Sequence, residues 1–152
     1  MMNKRFWMYS LAMVAVAALG VLTGWAVAVS QAKPHPEELY GRVETVLNGE
    51  EFVLITRQGE RYQVRLSGIS TPRGARPDAR ASREALQAII SGYSVSVDVV
   101  KIDGDHAEGH VWLGSIDVAE RLIMRGKAKA NSSAPTQLRK AQGLFDSMYP
   151  RS

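Results

Sequence analysis

Arg61-Tyr62-Gln63-Val64-Arg65-Leu66-Ser67-Gly68-Ile69-Ser70-Thr71-Pro72-Arg73 is the stretch on which the fold turns. Arg61–Ile69 alternates, with Tyr62, Val64 and Leu66 on one face, as a half-buried strand requires. Upstream, Gly41–Leu47 and Phe52–Arg57 read as two further strands. Asn48-Gly49 between them is a strong tight-turn signal, and Gln58-Gly59-Glu60 supplies the next turn. Three strands joined by short turns make a meander. Downstream, Ala79–Ile90 reads as a helix whose Leu86, Ile89 and Ile90 are spaced to cover a core, with Ser91-Gly92 ending it. Tyr93–Ile102 alternates again, placing Val95, Val97 and Val99 on one face. Asp103-Gly104-Asp105 reads as a turn and His110–Ile116 as the returning strand. Val118–Arg125 is a short helix stopped by Gly126, and Pro135–Asp146 a last one.

This order of three strands, helix, two strands and helix is compatible with a small five-stranded barrel of the OB type, an α+β fold. Roughly 115 residues follow the N-terminal segment, which suits one domain. The expected limits are 41–147 for the domain and 148–152 for a tail. There is no cysteine, so neither a disulfide nor a lipid-bearing cysteine is available, and stability must come from the packed core. The chain has 19 basic and 15 acidic residues. Setting aside Lys4 and Arg5 leaves only a slight positive excess, so net charge by itself does not argue for a nucleic-acid partner.

The N-terminus sets the compartment. Lys4 and Arg5 precede the uncharged apolar run Phe6–Val29. A bilayer needs roughly 20 such residues, and Trp7, Tyr9 and Trp25 lie near its ends, where aromatic rings favour the headgroup zone. We expect residues 1–5 in the cytoplasm, 6–29 as a single-pass transmembrane anchor and 30–40 as a proline-bearing linker. The rest then lies in the periplasm or outside the cell. The run is longer than the usual core of a signal peptide, which favours an uncleaved anchor. Ala26-Val27-Ala28 and Ser30-Gln31-Ala32 are the sites at which a signal would be cut, giving a secreted protein instead.

The stretch Arg65–Arg73 resembles the sequence Arg-Leu-x-Gly-Ile-Asp-Thr-Pro-Glu of the staphylococcal nuclease (thermonuclease) family. Val118–Lys129 is similar to that family's Val-Asn-x-x-Leu-Val-x-x-Gly-x-Ala helix and exit, and the resemblance runs roughly from Gly41 to Ala130. It implies an OB-type barrel and, in active members, calcium-dependent phosphodiester hydrolysis. Hard cations need oxygen ligands, preferably carboxylates. The resemblance places Glu50 where one metal-binding Asp is expected, within Asn48-Gly49-Glu50-Glu51. It places Ser70 at the second metal Asp, Thr71 where a backbone carbonyl would be offered, and Arg73 at the general-base Glu. An arginine cannot accept a proton near neutral pH. Arg65 matches the first phosphate clamp. The second clamp falls near Glu108, and no Lys or Arg occurs between Lys101 and Arg121. Removing one such electrostatic group typically costs about 10²–10³ in rate. The expectation is therefore an inactive relative of the family that needs no cofactor. A calcium-dependent nuclease with a rebuilt site is the alternative.

The same residues have other uses. Arg73, Arg76, Arg80 and Arg83, with Arg65, are candidate anion-binding residues for a nucleic acid or an anionic lipid. Their rival reading is a solvated loop and helix face balanced in part by Asp78 and Glu84. No aromatic residue interrupts them, which weakens a case for stacking bases. Arg65 is equally suited to neutralising Glu50. His106, Glu108 and His110 alternate and would share a strand face. Three such groups suit Zn²⁺ or a similar ion, but the sequence offers no cysteine and no evident fourth ligand unless Glu50 approaches them; their rival reading is a polar hairpin face with ordinary histidines. The expected partners are the membrane through 6–29 and either an envelope protein or a polyanion such as nucleic acid. Nothing in the sequence sets the oligomeric state.

Overall fold

The structure is a computed structural model and describes residues 37–150. The expected anchor and most of the linker lie outside the described residues. Among the described residues no helix is long and apolar enough to cross a membrane. The strands are β1 Glu38–Val46, β2 Glu51–Thr56, β3 Arg61–Leu66, β4 Ile69–Ser70, β5 Ser94–Asp103, β6 His106–Leu113, β7 Ile116–Asp117 and β8 Lys129–Ala130. The helices are α1 Pro77–Ile90, α2 Val118–Met124 and α3 Thr136–Met148.

The sheet order is β3-β2-β1-β5-β6, and β6 returns to pair with β3, closing a five-stranded barrel. All neighbours are antiparallel except the closing pair, which runs parallel from Gln63↔His106 to Leu66↔Gly109. The architecture is that of an OB-type α+β barrel. Short β7 extends the β6 edge, and β4 pairs separately with β8.

Period-2 patterning places the core. Leu39, Val43, Phe52, Leu54, Val64, Leu66, Val95, Val97, Ala107 and Val111 point inward and are buried. Two bulges adjust the alternation. One, between Val43 and Thr45, lets Val46 turn inward after two exposed residues. The other, between Val99 and Lys101, leaves Val100 exposed and turns Ile102 toward the core. Gly109 and Gly41 occupy points where strands approach too closely for a side chain. A Cβ on Gly109 would lie 2.3 Å from the Asp98 carbonyl oxygen, and one on Gly41 2.2 Å from that of Ile55.

The helices seal the barrel. α1 buries Ala79, Ser82, Leu86, Ile89 and Ile90. The Ser82 hydroxyl donates to the Lys127 carbonyl at 2.6 Å, tying α1 to the exit of α2. Asp117 caps α2 by accepting from the amides of Ala119 and Glu120. Its far end closes with the Gly126 amide on Ile123 O and the Lys127 amide on Leu122 O, with Gly126 at φ +68°. The expected elements are all present, with shifted limits. β1 starts at Glu38 because Glu38–Arg42 pairs with β5, and β6 starts four residues before the expected His110 because it pairs on both sides.

Candidate functional site

Glu50 is the centre of the site. Asn48 builds the turn that delivers it: its side chain accepts from the Glu50 amide at 2.9 Å and donates to Glu51 at 2.7 Å. Gly49 packs so tightly that a Cβ there would lie 2.7 Å from Ser82 Cβ and 3.0 Å from Thr71 Oγ1. The turn is thus wedged against α1 and the loop after β4, and the Glu50 side chain is 1% exposed.

A buried carboxylate must be paired and hydrogen-bonded, and this one has four donors. Oε1 accepts from Arg73 Nη2 at 2.6 Å and Arg65 Nη2 at 2.9 Å. Oε2 accepts from the Thr71 amide at 3.0 Å and the Thr71 hydroxyl at 3.3 Å. Arg65 reaches in from β3 and also lies 3.9 Å from Glu51. Burial alone would push the Glu50 carboxyl up. The Arg73 hydrogen bond, the Thr71 amide and the two arginine charges outweigh it and hold the group below its ordinary value. The Arg73 guanidinium, hydrogen-bonded to Glu50, is held above its ordinary value.

The other expected positions fall around this cluster. Ser70 is exposed on β4 opposite Lys129, and makes no hydrogen bond to Glu50. Thr71, expected to offer a carbonyl, instead turns its amide and hydroxyl onto Glu50. Glu108 stands on β6 between Arg65 of β3 and Lys101 of β5 in the strand register. His106 pairs with Asp105 at 2.8 Å, and His110 lies opposite Asp98. Among the described residues no three acidic or imidazole side chains gather as a metal site would need. Glu50, His106, Glu108 and His110 are not brought together as such a site, and Glu50 is enclosed by the arginines instead.

The five arginines expected to bind an anion divide between two grooves. Arg65 lines one of about 330 Å³ with Glu51, Gln63, Lys101, His106 and Glu108. Arg73, Arg76, Arg80 and Arg83 line another, of about 360 Å³, between the β1–β2 turn and the start of α1. Because α1 begins at Pro77, Arg76 flanks its first turn and pairs with Asp78 at 2.9 Å rather than sharing a helical face with Arg80 and Arg83.

Sequence reasoning missed two features. Lys101 reaches the Arg65 groove through the β5 bulge, which strict alternation gives no hint of. A cleft of about 560 Å³ lies between β1, β2 and the Ser91–Ser94 turn, where the Arg57 guanidinium sits 6.0 Å from the centre of the half-exposed Tyr40 ring. An aromatic residue in β1 and an arginine just after β2 were the available signal. No protein-family model matches the chain, and no curated protein is significantly similar to it.

Proposed function

We propose that this chain is a membrane-tethered, extracytoplasmic binding module, built on a staphylococcal-nuclease-like OB barrel that does not hydrolyse phosphodiesters. The supporting observation is the closure of Glu50 by Arg65, Arg73 and Thr71. Calcium does not suit this donor set. One carboxylate is present, both its oxygens are engaged, and two guanidinium groups stand where a cation would approach. The guanidinium of Arg73 neutralises the carboxylate from within the chain, so the cluster is a structural ion pair. The tether is residues 6–29, with the barrel on the side opposite Lys4 and Arg5. The partner is an envelope protein or a polyanion, since OB barrels offer open faces to either.

The test uses single-stranded DNA and RNA with purified protein, in calcium and in chelator, following cleavage and binding together. The expected outcome is no cleavage under either condition. Calcium-dependent cleavage that disappears in Glu50→Ala would sink the proposal in favour of a nuclease with a rebuilt site.

A further inference from the structure

The groove bounded by the β1–β2 turn and α1 has a basic lining. Four arginines line it and no carboxylate does. Arg73 is held by Glu50 and Arg76 by Asp78, but Arg80 and Arg83 are exposed and make no ion pair among the described residues. Glu84, one helical turn beyond Arg80, is exposed and bridges to neither. The rim is apolar rather than aromatic: Leu47 is 41% exposed, and Pro72 and Ala75 complete it.

Resting on the tethered reading above, we infer that this groove docks the phosphodiester headgroups of anionic lipids in the membrane to which the chain is anchored. Arginine forms forked hydrogen bonds to phosphate oxygens and carries its charge at every relevant pH. A site for single-stranded nucleic acid would add aromatic faces for the bases, and this lining has none. Exposed leucine beside arginines suits instead the boundary between headgroups and acyl chains. The segment between Val29 and Glu37 also reaches at most roughly 25–30 Å when extended, which keeps the barrel beside the bilayer. Where the facing leaflet carries anionic lipid, a basic surface held within that distance gains about fivefold per arginine, at about 1 kcal/mol each.

The chain has no cysteine, so Ala75→Cys provides a single labelling position on the groove rim. Full-length protein carrying an environment-sensitive dye there is reconstituted into phosphatidylcholine vesicles, with and without phosphatidylglycerol. The expected result is a blue-shifted dye only with the anionic lipid, reversed by salt. In Arg80→Gln/Arg83→Gln the ratio of docked to undocked protein falls about 25-fold. Both side chains are exposed, and an unchanged melting curve verifies that the variant folds. Equal dye signals in the two vesicles, or a shift that the double variant keeps, overturn the inference. So does a shift produced by a single-stranded oligonucleotide without vesicles, which assigns the groove to nucleic acid. Flotation judges the tether separately: protein that does not float with phosphatidylcholine vesicles refutes the anchor, and the dye response to added anionic vesicles still decides the groove.

Discussion

At the scale of single residues, the chemistry is governed by what surrounds Glu50. Its carboxyl is held below the ordinary value, so the unfolded chain takes up a proton at a higher pH than the native one does. The stabilisation is complete at neutral pH. It begins to fade as pH falls below the ordinary value of 4.5, and is lost once pH passes beneath the lowered native value. Glu50→Gln should cost about 2–3 kcal/mol at pH 7, and the gap from the parent should narrow through that acid range. Urea melts of both proteins from pH 7 to pH 3 measure it, and a gap independent of pH would contradict the assignment. Calcium gives a second expectation. With no carboxylate oxygen left to offer at Glu50, the melting temperature should be the same in excess calcium as in chelator, whereas a site that bound the ion would raise it by mass action. The identity of these residues was legible from the sequence. Their geometry was not. The inward turn of Arg73 onto Glu50 depends on the path of the loop after β4, which no local pattern encodes.

At the scale of elements, alternation located the strands and the helical spacing located α1, since both follow from which face is buried. What alternation missed are its interruptions. The bulge after Val99 exchanges the faces of Lys101 and Ile102, so a lysine that strict period 2 would send inward instead borders the groove beside Arg65. The early start of β6 was hidden for a related reason. Its first residues are polar on the outward face and small on the inward one, and Ala107 and Gly109 do not look like core. Gly109 is small because the Asp98 carbonyl occupies the place of a side chain. Gly109→Ala should therefore destabilise the barrel by about 1–3 kcal/mol or more through forced separation of β5 and β6. Chemical denaturation would detect this, and a neutral substitution would mean that the two strands give way easily.

At the scale of the whole molecule, element order was compatible with a five-stranded barrel and pointed to its meander and its returning strand, while the pairings that close the barrel were not legible. Order along the chain says nothing of the β3–β6 contact, which joins Gln63 to His106 across all of α1 and β5. That contact also imposes a sequence of events in time. The β1–β2–β3 meander and the β5–β6 hairpin can each form from neighbours in the chain, but the two pairings between them, β1–β5 and the β3–β6 seam, each require closing a long loop. If the seam zips up after the rate-limiting step, Val64→Ala will accelerate unfolding and leave the refolding limb of a chevron nearly unmoved. A slowed refolding limb would instead place the seam in the nucleus. In the first case the barrel opens first along the line that closed last. The life of the native state is then set at the parallel β3–β6 seam, a few residues from the carboxylate that the arginines enclose.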